Sequence, residues 1–311
     1  MNVLTYLPNS ISVQNKIGML ARTAHYNFVP CMTESEALEK MLALAVTSRC
    51  LLFVAMTNLD LARKISIVQP QASVVVLLDK PLQKVARELL DCMSVRCFVA
   101  QQNEGFDARE ILTMLRKFSD PNFAGVEKYL SYGASIQGLD IVDVSTKRSA
   151  LERVEKSVSH LGNGAEEKRF QEYARRVSEL VDELVLNAIF DANPAMRDVS
   201  RSLDFSLLQS EAVQVRWGFD GEVFAVSVRD YFGNLSKETI IEYLAEGHNS
   251  EKFWQDRKSA GLGFRLVFER MHQFIVNVEP GKMTEIICLL RFEKRFRDFD
   301  SRLKSFHYFV I

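Results

Sequence analysis

Residues 179–192 read ELVDELVLNAIFDA, and Glu179, Glu183, Asn187 and Asp191 recur every fourth residue within them. At 3.6 residues per turn, positions four apart lie on one slowly drifting helix face. Leu180, Val181, Leu184, Val185, Ala188 and Ile189 cover the neighbouring faces, so the polar line is narrow and flanked by apolar surface. Such a line is either a solvated stripe on a half-buried helix or a working face. On a working face, the Asn oxygen can hold a divalent cation while a nearby carboxylate takes a proton. Asn187 is then the candidate metal ligand, with one of the neighbouring acids as the proton acceptor.

Three shorter stretches carry complementary chemistry. Asp230-Tyr231-Phe232-Gly233 follows the apolar run Val223–Arg229. An acid at a strand end can accept from the amino group of a base, and Gly233 lets backbone approach closely. The plain alternative is a turn, where Asp and Gly are both common. The segment SAGLGF at 259–264 stands before an amphipathic helical pattern. Amides of Gly261 and Gly263, together with the helix dipole, suit phosphate, and Lys258 adds charge beside them. Thr284 opens a strand after Gly281-Lys282 and in isolation reads as a β-branched strand residue.

These residues need two kinds of scaffold. Over residues 1–118, short apolar runs at Asn2–Leu7, Arg49–Met56, Ala72–Leu78 and Arg96–Ala100 alternate with helical patterns. The helical patterns cover Ser35–Ala45, Pro81–Cys92 and Asp107–Phe118, with Thr33 and Glu36 spaced as a capping box. Alternation of this kind predicts a doubly wound α/β domain. Residues 119–165 read as a linker with helical content, since Pro121, Gly125, Gly133 and Gly138 break the pattern before the helical stretch Lys147–His160. From 166 to 292 the order changes to a long helix and two hairpins. The first hairpin turns at Asp220-Gly221 and the second at Glu279-Pro280-Gly281-Lys282, which predicts an α/β sandwich. In the tail 293–311, following Phe292, the residues Phe296, Phe299, Leu303 and Phe306 continue at helical spacing, predicting an amphipathic helix that docks on its own domain or on a dimer partner.

The order of the four chemical stretches resembles that of the GHKL ATPases, the superfamily of histidine-kinase ATP-binding domains and anti-sigma-factor serine kinases. ELVLNA matches the family's N box, Asp230 its adenine-reading acid, SAGLGF its glycine-rich box and Thr284 its late threonine. The resemblance spans about residues 166–292 and implies a Bergerat-type sandwich that binds Mg·ATP. It further implies that Asn187 holds Mg²⁺, Glu183 acts as base, Asp230 and Thr284 meet the adenine, and 245–260 forms a lid. One departure is that the family's D-x-G-x-G places glycine where this chain has Phe232 and Asn234, leaving Gly233 between them. The N-terminal stretch resembles a response-regulator receiver without its chemistry. The first strand ends Thr5-Tyr6-Leu7-Pro8, the third ends Val54-Ala55-Met56-Thr57, and Ala100-Gln101-Gln102 replaces the expected lysine. A pseudo-receiver used for protein contacts is the expectation. His160 lacks the acid and Arg-Thr-Pro that follow a phosphorylated histidine in sensor kinases, so it reads as a helix C-terminal residue.

Composition bounds the function. Among 311 residues, 47% are hydrophobic and 25% charged, with a net charge of −1, so no global field favours nucleic acid or an anionic membrane. Five scattered cysteines read as reduced, buried thiols. These features fit a cytoplasmic protein, and the resemblance implies a bacterial-type signalling protein with a protein partner. Activity as a Ser/Thr protein kinase of the anti-sigma-factor type is one reading. The other is a catalytically inactive module that regulates by protein contact.

Overall fold

The structure is a computed structural model that describes residues 1–310 except 103–104, 121–123, 163, 198, 202–203 and 246–259. The fold is mixed α/β, and the chain divides into two compact units. One comprises Met1–Phe123 with Leu303–His307, the other Ala124–Arg302 with Tyr308–Ile311.

In the first unit, β1 (Asn2–Tyr6), β2 (Asn27–Pro30), β3 (Cys50–Ala55), β4 (Ser73–Leu78) and β5 (Val95–Ala100) run parallel in the order β2-β1-β3-β4-β5. The order reverses after β1, as in doubly wound sheets. Helices α1 (Ile11–Thr23) and α5 (Ala108–Ser119) pack together, as do α2 (Glu34–Ala45) and α3 (Leu59–Val68), while α4 (Leu82–Leu89) joins β4 to β5. Covered strands have no polar face to offer, which is why β3 reads CLLFVA and β4 SVVVLL. The cap read from the sequence forms: Thr33 Oγ1 accepts from the Glu36 amide at 3.2 Å. The Glu36 carboxylate in turn accepts from the Met32 amide at 2.7 Å.

The tail differs from expectation. Instead of one amphipathic helix, it forms a short helix, α10 (Phe296–Ser301), and a strand, β11 (Ser305–Val310). Within the first unit, Phe306 and His307 of β11 pair antiparallel with Phe98 and Cys97 of β5. The Phe98 and Phe306 rings stack 5.8 Å apart at 3°. Buried His307 meets buried Glu110 of α5 at 2.7 Å. The physical reason lies in Ser305–Val310, SFHYFV, whose aromatic and β-branched residues favour a strand. The helix stops at Ser301, although the apolar spacing runs on to Phe306.

In the second unit, β6 (Ile136–Ile141), β7 (Val213–Phe219), β8 (Phe224–Asp230), β9 (Gln273–Glu279) and β10 (Met283–Leu290) form antiparallel neighbours in the order β9-β10-β8-β7-β6. β6 and α6 (Val144–Ser159) therefore belong to this fold, although their sequence reads as a linker; β6 is short and carries Gly138 in the middle of IQGLDI. Helix α7 (Glu167–Leu186) packs on α6 and β8 through Phe170, Tyr173, Ala174, Val177, Leu180, Val181, Leu184 and Val185. Both predicted hairpins form. Asp220 Oδ1 accepts from the amides of Glu222 and Val223, and Gly221 takes φ +96°. The aromatic row of the tail docks on α7, where Tyr173 lies 4.9, 4.6 and 5.3 Å from Phe292, Phe296 and Phe299. Burial raises the Tyr173 hydroxyl to about 12, and it donates to the Glu293 carbonyl.

Candidate functional site

The polar line of ELVDELVLNAIFDA resolves into separate jobs. Helix α7 ends at Leu186, and Asn187–Ala192 continue as a π-helical turn. The wider i→i+5 turn re-aims the side chains that follow it and is common near working sites. Glu179 pairs with Arg175 and with Arg270, so its charge is structural. Glu183, Asn187 and Asp191 instead converge on one guanidinium. Arg201 donates through Nη1 to Glu183 Oε1 at 3.2 Å and through Nη2 to Asn187 Oδ1 at 2.9 Å. Its Nη2 also donates to Asp191 Oδ2.

This environment is half sealed. Burial raises the Glu183 carboxyl above its ordinary value, while the charge and hydrogen bond of Arg201 pull the other way. Asn187 is 5% exposed and its Nδ2 has no hydrogen-bond partner. A buried amide donor without a partner is costly, so an acceptor placed beside it would be favoured. Gly263 abuts the same face, since a Cβ there would meet Glu183 Oε1 at 1.8 Å. After α8 (Lys237–Leu244), Gly261 and Gly263 both fall inside α9 (Ala260–Glu269). Lys258 and most of the segment 245–260 lie outside the described residues.

The second polar centre sits where β8 meets β10. Asp230 and Thr284 are cross-strand partners, 6% and 2% exposed. Asp230 Oδ1 accepts from the amide of Phe232 at 2.9 Å and, less directly, from that of Gly233 at 3.4 Å. Burial pushes the Asp230 carboxyl up to about 6; the two amides and, more weakly, Thr284 oppose the shift. The Thr284 hydroxyl nonetheless makes no well-formed hydrogen bond. An acid held by two amides beside an orphaned hydroxyl is an acceptor-rich corner suited to a planar amine-bearing ring. Gly233 has φ +66°, and a Cβ there would stand 2.2 Å from the Glu279 carbonyl. Its missing side chain thus serves the β9–β10 turn, a packing reason independent of any ligand. Asn234 Nδ2 donates to the Ala192 carbonyl at 3.3 Å, tying this corner to the end of the π turn.

The structure therefore brings Glu183, Asn187 and Gly263 together, and Asp230, Thr284 and Gly233 together. Two polar residues carry no motif in the sequence, half-buried Arg201 and buried Glu285. Arg201 carries no periodic signal, because it stands in a loop. Glu285 was visible as the lone acid inside the apolar strand MTEIICLL. It is 0% exposed and accepts from Arg229, Asn277 and the Gly125 amide at 2.9, 2.8 and 2.8 Å.

A divalent metal does not fit the Glu183 face as arranged. Its oxygens are the hard donors magnesium prefers, but Arg201 already engages one oxygen of each side chain. Among the described residues no group of three or more His, Cys, Asp and Glu is placed to hold a metal. In the first unit the ends of β1 and β3 carry no acids: Thr5 is buried with an unpaired hydroxyl, and β3 ends at Ala55. His160 is the exposed C-cap of α6. Among the described residues no helix is long and apolar enough to cross a membrane.

Comparison with known proteins adds little. No protein-family profile matches the chain, and no curated protein does. Among solved structures it is similar to NtrX from Brucella abortus in complex with ADP, at 12% identity and a TM-score of 0.29. The match covers 63% of this chain and 48% of NtrX, so the chain spans about half of that protein's length. A likeness at this level carries no argument about function.

Proposed function

We propose that the second unit binds an adenine nucleotide in a GHKL-type site, within a cytoplasmic signalling protein whose first unit contacts other proteins. The observation that carries this reading is the Asp230–Thr284 corner, a buried acid with a raised pKa beside an unpaired hydroxyl. An adenine amino group and ring nitrogen entering there would give each a further partner. Bound nucleotide would present its base to Asp230 and Thr284. Its phosphates would lie toward Gly261, Gly263 and Lys258, the residues assigned to them by order in the sequence.

Phosphoryl transfer to a Ser or Thr hydroxyl of a partner protein is the catalytic version of this proposal, with Glu183 as base. The non-catalytic version has a specific observation in its favour. The Glu183 oxygen that would take a proton already accepts from Arg201 Nη1, and the guanidinium opposes the rise that burial gives this carboxyl. The reading adopted is therefore a nucleotide-responsive regulatory module. Isothermal calorimetry with ATP and ADP on the full chain and on Asp230→Ala tests it. Binding by the wild type that Asp230→Ala abolishes supports the proposal, and no binding of either nucleotide refutes it.

A further inference from the structure

The Glu183 face holds a cation of its own. Two carboxylates and an amide oxygen converge from α7 and the π turn, and one guanidinium reaches all three. Arg201 is not a rim residue: its side chain and that of Glu183 are each 20% exposed. Nη2 is shared between Asn187 and Asp191, so the fork of the side chain is used to bridge rather than to make a single ion pair. The oxygens bound are the ones a divalent cation would need at this face.

We propose that Arg201 stands in the cation position of the Glu183–Asn187–Asp191 face and keeps a divalent metal out of it. The reading of the site as a nucleotide pocket supplies only the reason a metal would matter there; the competition itself rests on the three contacts. A metal on Asn187 Oδ1 would share that oxygen with the Arg201 Nη2 bonded to it at 2.9 Å. A metal arriving beside Arg201 would meet a fixed positive charge within contact range. Nucleotide held at this site would then meet arginine where a metal-dependent site offers magnesium, and its affinity would be indifferent to magnesium.

The competition can be measured without nucleotide. Manganese is added to the full-length wild type, to Arg201→Gln and to Arg201→Gln/Asn187→Ala, and free Mn²⁺ is read by electron paramagnetic resonance. Arg201→Gln should bind Mn²⁺ about tenfold or more tightly than the wild type, and Asn187→Ala in that background should reverse the gain. Circular dichroism confirms folding. If Arg201→Gln unfolds, Arg201→Lys keeps the charge and loses the fork, and it should give a smaller gain of the same sign. A folded Arg201 variant that holds Mn²⁺ no better than the wild type overturns the proposal. So does a wild type whose Mn²⁺ binding is strong and lost in Asn187→Ala. Calorimetry with ATP in EDTA and in magnesium then separates the two ideas. Failure of the wild type to bind nucleotide in either buffer refutes the nucleotide reading and leaves the manganese result standing. Wild-type binding that tightens tenfold or more in magnesium overturns the role given to Arg201.

Discussion

Replacing Asp230 by asparagine should stabilise the protein while weakening any nucleotide it binds. Burial moves the Asp230 carboxyl from 3.8 to about 6. Between those values the folded chain keeps a proton that the unfolded chain releases. Stability therefore falls as pH rises through this window and stays lower above it. The gap from 3.8 to about 6 corresponds to roughly 3 kcal/mol at about 1.4 kcal/mol per unit. Asparagine retains an oxygen for the amides of Phe232 and Gly233 and removes the charge. Its own burial cost trims the gain at neutral pH to about 1–3 kcal/mol. At roughly 2–4 °C per kcal/mol for a domain of this size, the melting temperature should rise by several degrees. Melts followed by circular dichroism at about pH 4.5 and about pH 8 give the decisive comparison, because linkage requires the difference to open with rising pH. A difference independent of pH, or a variant that melts below wild type at the higher pH, would refute the reasoning. With the carboxamide oxygen held by the amides, the NH₂ group faces the incoming amine. Nucleotide affinity should then drop by about tenfold or more, the scale of a lost hydrogen bond to a charged group.

Other substitutions test the surrounding structure. Gly233→Ala forces a side chain into φ +66° and against the Glu279 carbonyl, and should cost about 1–3 kcal/mol of stability in urea denaturation. Glu285→Ala strips the acceptor from Arg229, Asn277 and the Gly125 amide; a loss of about 3–5 kcal/mol is expected, and a loss under about 1 kcal/mol would show that the buried network is not a single unit. Phe306→Ala removes a fully buried ring stacked on Phe98 and should destabilise the first unit by about 3–5 kcal/mol, read as hydrogen-exchange protection lost in β5. Gly263→Ala drives a methyl group into the Glu183 carboxylate. It should break the Glu183–Arg201 pair with less than about 1 kcal/mol lost overall, since the displaced group is the end of a flexible side chain; an unchanged Glu183 carboxyl titration by NMR would contradict it.

What the sequence shows depends on how local the determining physics is. β3 and β4 are legible because a strand covered on both faces is apolar throughout. The Asp220-Gly221 turn is legible because the chemistry that shapes it lies within four residues. α1, β2 and α3 escape the same reading: β2 is four residues ending in Pro30, and α1 mixes Gln14, Asn15 and Lys16 into its apolar pattern. The tail fails for a different reason. Its apolar row keeps helical spacing as far as Phe306, but Phe306 takes its conformation from β5, some two hundred residues earlier in the chain. Strand pairing over such a distance leaves no periodicity to detect.

The same distinction governs the site. The helical repeat shows that Glu183, Asn187 and Asp191 share a neighbourhood, because that follows from 3.6 residues per turn. It says nothing of what neutralises them. Two carboxylates on a half-buried surface raise each other's pKa and that of any acid nearby, so the fold must supply a cation or leave the face protonated or wet. A metal, a lysine from the segment before α9, or an arginine from the loop after the π turn would each satisfy the repeat equally well. The structure selects Arg201, and the selection changes what the acids can do. With Arg201 in place burial still holds the Glu183 carboxyl above its ordinary value and the guanidinium opposes that rise, whereas without it burial would drive Glu183 further toward the neutral form. Its fitness as a base therefore turns on whether Arg201 stays in place when a ligand enters, a question about one loop residue outside the repeat.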